Sequence, residues 1–282
     1  MILTSRDLEL FLNLQSYGML TTKQIESLVF RGTAVTTILR RLRALESDGN
    51  IKRASRIDGG EIIWMLTNLG GAKIGKDVIK RHFRSDTLDH DLRLVGLRIH
   101  LEGLGIAKSW LPEHEIRSRA AKKWGVKWLK QKIVADGVMG ATHDGLQESV
   151  AIELELTWKN SGRYRKVCDQ YRMKDSLWGT WYVVESLSLG RSIERAWKET
   201  PNWFPEYNFL WSLEEEILTL GLEAKVYWRK KVLILGEIFE AKLPTETVTT
   251  PAQGVSAPQR QDALARLSTS IDEDKEKLAP AS

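Results

Sequence analysis

The apolar positions divide this chain into two patterns. In the first ninety residues they recur at helical spacings of three and four. Thr4 or Ser5 can cap a first helix whose apolar positions include Leu8, Phe11 and Leu12. Thr21-Thr22-Lys23-Gln24 has the form of a capping box, with the glutamine three places after the threonine. It opens a second helix carrying Ile25, Leu28 and Val29. After Gly32-Thr33, a third helix presents Val35, Ile38, Leu39, Leu42 and Leu45, and Asp48-Gly49 ends it. Two short strands follow, Ile51–Arg56 and Glu61–Leu66, joined by Asp58-Gly59-Gly60, a strong hairpin signal.

Three helices and a two-stranded wing predict a winged helix-turn-helix over residues 1–86. Leu88–Glu102 reads as a helix that joins it to a second domain, residues 87–243. There the pattern changes to short strands near Ile106–Leu111, Ile133–Met139, Val150–Trp158 and Thr180–Glu185. A helix is expected over Arg163–Lys174. A later helix and strands carry Trp197, Phe209, Trp211, Val232, Ile234 and Leu235. Strands bracketing helices predict an α/β core, so the chain as a whole reads as α+β followed by α/β. The tail, 244–282, with Pro244, Pro251, Pro258 and Asp272-Glu273-Asp274-Lys275, has the composition of a disordered segment.

Composition narrows the class. With 282 residues, 42% hydrophobic and 28% charged, the chain has ample core material for two domains. One cysteine, Cys168, excludes an internal disulfide framework and suits a reducing cytoplasm. No apolar run approaches a membrane span, and Met1–Asp7 lacks the form of a signal peptide. The net charge of +5 is unevenly spread: 16 basic against 12 acidic residues in 1–105, 22 against 19 in 106–243, and 4 against 6 in the tail. A surplus this small says little about nucleic acid, so local clustering carries the argument.

Two clusters point to DNA. The third helix turns Thr36, Thr37, Arg40, Arg41 and Arg43 outward, as expected of a helix that enters a major groove. Lys52, Arg53 and Arg56 on the wing are placed to reach phosphates. Solvated helix faces carry arginines too, and some winged helices bind protein. The second cluster is Arg117, Arg119, Lys122, Lys123, Lys127, Lys130 and Lys132, interleaved with Trp124 and Trp128 and free of acids between Arg117 and Lys132. It can track a phosphate backbone with indoles stacking on unpaired bases, or it is a solvated segment whose tryptophans dock on the core.

The chemistry centres on Val150–Lys159, where apolar and polar residues alternate. Alternation puts Glu153, Glu155, Thr157 and Lys159 on one strand face, and Ile152, Leu154, Leu156 and Trp158 on the other. Two carboxylates roughly 6–7 Å apart, with Asp136 on the preceding strand, can hold Mg2+ or Mn2+. Asp136, Glu153 and Glu155 are the candidate metal ligands and Lys159 the candidate electrostatic residue for phosphodiester cleavage. Arg163 and Lys166 can contribute from the next helix. Glu115 can complete the acidic site or pair with Arg117, and His90 can shuttle protons or pack between Asp89 and Asp91. Tyr164 and Tyr171 are alternative covalent nucleophiles to a water, or packing residues. An outward amphipathic strand is equally common in α/β proteins that cleave nothing.

Asp136 followed by Glu153-Leu154-Glu155 and Lys159 resembles the acid, acid, basic-residue signature of restriction-endonuclease-like nucleases of the PD-(D/E)xK type. Together with Leu3–Asp7, Leu20–Ile25, Leu66-Thr67-Asn68-Leu69-Gly70, Leu88–Leu92 and Glu115-Ile116-Arg117, it resembles the replication-relaxation family across roughly residues 3–240. That family includes relaxases of the MobC type of plasmid mobilisation protein. The resemblance implies a cytoplasmic, metal-dependent nickase that recognises double-stranded DNA at a plasmid or mobile-element origin and meets single-stranded DNA after the nick. It also implies coupling or accessory mobilisation proteins as partners. In the wider nuclease pattern the basic residue sits two places after the second acid; here Glu155 holds that place, and the relaxase branch is where a double glutamate is itself the pattern. A non-catalytic winged-helix regulator, or an accessory factor beside a separate relaxase, is the competing expectation.

Overall fold

The computed structural model describes residues 2–56, 61–76, 78, 87–129, 132–171, 176–200 and 207–241. The expected Asp58-Gly59-Gly60 turn and the whole tail, 244–282, lie outside the described residues. The protein is a mixed α/β chain whose described residues form two compact units, divided between Gly96 and Leu97.

The first unit runs α1 (Ser5–Tyr17), β1 (Leu20–Thr21), α2 (Thr22–Val29), α3 (Val35–Ser47), β2 (Ile51–Arg56), β3 (Ile62–Leu66) and α4 (Asn68–Lys73). Helix α5 (Leu88–Gly103) crosses the division between the units. Both expected N-caps form. Thr4 and Asp7 close a capping box on α1, and Thr21 accepts from Gln24 N (3.2 Å) while its own N–H reaches Gln24 Oε1 (2.9 Å). Gly49 takes the left-handed conformation (φ 74°) just past the end of α3, where a side chain would strain the backbone. The sheet has three strands rather than two, in the order β1-β3-β2. The extra strand is only Leu20–Thr21, too short to leave an alternation in the sequence.

The buried face of α1 also differs from the expected one. Asp7, Leu10, Phe11, Leu14 and Tyr17 point inward, whereas Leu8 and Leu12 are 37% and 51% exposed. The register of the stripe is set by Asp7, an acid at a core position.

The second unit contains β4 (Ser109–Pro112), α6 (Glu113–Trp124), α7 (Val126–Leu129), β5 (Gly137–His143), β6 (Leu146–Glu155), α8 (Ser161–Tyr171), β7 (Gly179–Val184), α9 (Leu187–Lys198), β8 (Asn208–Leu213), α10 (Glu214–Leu220), β9 (Lys225–Trp228), β10 (Lys231–Ile234) and α11 (Leu235–Ile238). Seven strands form one mixed sheet, β10-β9-β8-β7-β6-β5-β4. Strands β4, β5 and β6 make an antiparallel meander; β6, β7 and β8 are parallel, joined through α8 and α9; β9 and β10 return antiparallel. Parallel strands need crossovers, and the crossover helices cover the sheet.

Helices α8 and α9 pack on one sheet face over Tyr182, Val184, Phe209 and Trp211. Gly190 lets α9 approach closely, because a Cβ there would stand 2.2 Å from the Trp211 ring. Among the described residues no helix is long and apolar enough to cross a membrane.

Candidate active site

Strand β6 ends at Glu155, so the alternating run is shorter than its sequence. Val150–Glu155 are buried on both faces. Thr157 and Lys159 belong to the connection before α8, and the expectation that they share a strand face with the glutamates is corrected. Leu156 and Trp158 likewise leave the strand, and Trp158 is 44% exposed with its ring 4.9 Å from that of Tyr164. The glutamates do not face solvent. Glu153 and Glu155 are 6% and 3% exposed, on the face beneath α8. Burial of two acids two residues apart is uncommon and calls for partners.

The partners come from three elements. Asp136 is the residue before β5, and the Gly137–Ile152 pairing continued by one position sets it opposite Glu153. Its Oδ2 accepts the N–H of Leu154 at 2.8 Å. Across the other edge of β6, Glu153 is in register with Tyr182 of β7, and Tyr182 with Trp211 of β8. From above, α8 supplies two phenols two helical turns apart. The Tyr171 hydroxyl donates to Glu153 Oε1, and the Tyr164 hydroxyl donates to Glu155 Oε2 at 2.9 Å. Lys159 completes the set, with Nζ 2.6 Å from Glu155 Oε1. Its own N–H donates to the Tyr164 hydroxyl at 3.3 Å. The site meets solvent at half-buried Asp136 and at Lys159, whose side chain is 39% exposed.

Electrostatics follow from this burial. Desolvation, and then the Asp136 charge, push Glu153 well above the ordinary carboxylate range; the Tyr171 hydrogen bond opposes them. Desolvation and the glutamate charges also push Tyr164 and Tyr171 above the ordinary phenol range. Both phenols are at most 1% exposed and spend their protons on carboxylates, so neither is placed as a nucleophile. Among the described residues, no group of three or more His, Cys, Asp and Glu side chains is arranged to hold a metal ion.

No protein family, curated protein or solved structure matches this chain.

On α3, Thr36, Thr37, Arg40 and Arg43 are exposed, as is Lys52 on β2. Two expected DNA contacts are otherwise engaged. Arg41 turns inward onto buried Asp7, with Nε 2.8 Å from Oδ1 and Nη2 on Oδ2. Arg53 pairs with Glu46 of α3, at 2.8 and 3.0 Å from Nε and 2.7 Å from Nη2. The side chain of Arg56 lies outside the described residues. In the second cluster, Lys122, Lys123 and Lys127 are exposed on α6 and α7, with Lys123 Nζ 5.4 Å from the Trp124 ring. Lys130 lies outside the described residues, as does the Trp128 side chain.

Of the auxiliary candidates, Arg163 and Lys166 lie exposed on α8. Glu115 pairs with Arg119 (2.6 Å) and Arg117 with Glu113 (2.6 Å), each one turn away on α6. His90 lies in α5 with Nδ1 3.5 Å from Asp91 Oδ1. The residues sequence reasoning missed as site partners are Tyr182 and the carboxylate-binding roles of Tyr164 and Tyr171. Their signal was available only as polar aromatics on a helix following an acidic strand.

Proposed function

We propose that this chain is a metal-dependent DNA endonuclease that nicks one strand at a specific origin sequence of a plasmid or mobile element. The observation that carries this reading is the set Asp136, Glu153, Glu155 and Lys159 gathered at one end of the central strands, with the acids backed by an apolar cluster and the aspartate and lysine facing solvent. An α/β protein that needed only a core would fill positions 153 and 155 with apolar side chains.

The fit to a divalent cation is argued from the donor set. Magnesium is commonly held by one or two carboxylates plus water and substrate phosphate. Asp136 and Glu153 are close enough for the charge of one to raise the proton affinity of the other, the repulsion a cation relieves. They are the residues that would hold it. A bound Mg2+ or Mn2+ supplies charge neutralisation at the scissile phosphate and a more acidic water. Lys159 brings a cation to the solvent-facing rim, where negative charge develops on the phosphate oxygens. The buried phenols leave water as the nucleophile.

Recognition belongs to the first unit in this proposal. Its order of helix, strand, helix, helix, strand, strand supports a winged helix, with Thr36, Thr37, Arg40 and Arg43 of α3 read as groove contacts and Lys52 as a phosphate contact. Lys122, Lys123 and Lys127 of the second unit add phosphate contacts near the start of the meander.

A second reading, a DNA-binding protein with a nuclease-like domain that does not cut, is favoured by one observation: three acids are present but not disposed as a ready three-carboxylate cluster. Supercoiled plasmid carrying the cognate origin separates the two. The nuclease converts it to open circles with Mg2+ or Mn2+, and chelator, Asp136→Ala or Glu153→Ala abolishes this. Specific binding unaffected by chelator, with no nicking, establishes the second reading instead.

A further inference from the structure

We propose that the two glutamates of β6 have different jobs, and that Glu155 is a positioning residue for Lys159 rather than a metal ligand. This rests on the nuclease reading and sharpens it. Both Glu155 oxygens are engaged by protein donors: Oε1 by Lys159 Nζ at 2.6 Å and Oε2 by the Tyr164 hydroxyl at 2.9 Å. The same hydroxyl accepts the Lys159 N–H at 3.3 Å, so backbone and side chain of Lys159 are tied to one carboxylate–phenol pair. The loop is closed within ten residues of chain. It fixes a lysine that no regular element holds, since β6 ends at Glu155 and α8 begins at Ser161.

Glu153 has the opposite surroundings. It stands across from Asp136, and its protein donor, Tyr171, carries no charge. A carboxylate beside another acid attracts a cation; a carboxylate already holding an ammonium does not need one. The three acids thus divide into an acid pair, Asp136 with Glu153, and an ion pair, Glu155 with Lys159. Glu155 thus reaches forward to hold a lysine four residues on.

The test separates binding from turnover. Mn2+ affinity of the full metal-free chain is measured by calorimetry and by electron paramagnetic resonance, and nicking is measured at saturating Mn2+. Asp136→Asn and Glu153→Gln are expected to lose Mn2+ affinity by at least about tenfold. Glu155→Gln and Tyr164→Phe are expected to keep it within about threefold while kcat for nicking falls by about 10–100-fold with little change in KM for DNA. Tyr164→Phe leaves the Lys159–Glu155 ion pair in place, so it is the milder variant if Glu155→Gln folds poorly, and circular dichroism checks both. Equal loss of Mn2+ affinity in Glu155→Gln and Glu153→Gln overturns the division of roles. So does unchanged nicking by Glu155→Gln and Tyr164→Phe. A wild-type chain that neither binds Mn2+ nor nicks overturns the nuclease reading as well.

Discussion

Replacing Arg41 by methionine should unfold α1 from α3 more readily without removing a DNA contact. Asp7 is 1% exposed and accepts from Thr4 N at 2.6 Å, Thr4 Oγ1 at 2.7 Å and Arg41 Nε at 2.8 Å, with Arg41 Nη2 a further donor. Methionine keeps much of the stem volume but removes two donors and the countercharge. Breaking a fully buried pair costs about 3–5 kcal/mol. The Arg41 side chain is 27% exposed and the Thr4 donors remain, so water relieves part of the loss. The expected cost is therefore about 2–3 kcal/mol, at or just below the bottom of that range. Burial pushes Asp7 up, but the hydrogen bonds from Arg41 and Thr4 outweigh it and hold the carboxyl below its ordinary value. The sign follows: a lowered folded-state value adds stability above the ordinary value of 3.8, and that stability is lost as pH falls through the folded value. Arg41→Met should therefore flatten the acid limb of the stability curve. Urea-dependent hydrogen exchange of peptides from α1 and α3, read by mass spectrometry, isolates this unit from the tryptophan-rich second one. At temperatures where the variant stays folded, its DNA affinity and salt slope should match wild type. Arg40→Ala and Arg43→Ala should each lower the salt slope by about one. A loss of protection below about 0.5 kcal/mol, or an unchanged acid limb, would refute the reasoning.

Other outcomes follow from the same geometry. The raised value of Glu153 means the folded state binds its proton more tightly than the unfolded chain, so stability falls as pH rises above the ordinary value of 4.5. Glu153→Gln should remove that decline and melt higher than wild type at neutral pH without added metal; a lower melting temperature there would contradict it. Gly190→Ala places a methyl 2.2 Å from the Trp211 ring and should cost about 1–3 kcal/mol by thermal denaturation, despite the helix preference of alanine. Thr21→Ala breaks the capping box of α2 and should cost about 1 kcal/mol, seen as faster exchange in the first turn of that helix. Tyr171→Phe leaves a buried carboxylate oxygen without its donor and should shift Glu153 further upward, read by carboxyl titration in nuclear magnetic resonance.

What the sequence revealed tracks how local the governing physics is. The caps at Thr4 and Thr21 and the stop at Asp48-Gly49 are legible because each is an interaction across three or four residues. The helices that carry α3 and α8 were legible for the same reason. The two-residue β1 was not, because it exists only through pairing with β3 some forty residues on. The fate of the arginines was not legible either. Helical spacing marks Arg40, Arg41 and Arg43 alike, and only an acid at position 7 distinguishes Arg41. On β6, alternation separated the two faces correctly as far as Glu155 but could not tell that both were covered. A single strand reports its own periodicity, and the helices that bury it lie later in the chain. Tyr164 and Tyr171 bind carboxylates 9 and 18 residues away, distances at which no spacing rule applies.

The energetics of the acid row argue for function more directly than its pattern. Replacing buried ionic groups by apolar residues of similar size is often neutral or stabilising, so stability alone does not retain them. Here two glutamates occupy an otherwise apolar face formed by Ala151, Val167, Cys168, Val184 and Ile193, and one of them is forced toward its neutral form by burial and a second acid. The phenol that Tyr171 offers Glu153 carries no charge, and the nearby Asp136 charge still pushes Glu153 upward. A ligand that brings positive charge to this pair relieves that repulsion and stabilises the fold by an amount that grows with the logarithm of its concentration over Kd. A rise in melting temperature on adding Mn2+, present in wild type and absent in Asp136→Asn, is the thermodynamic face of the same arrangement. No rise in wild type would mean that the pairing of Asp136 with Glu153 serves something other than a cation.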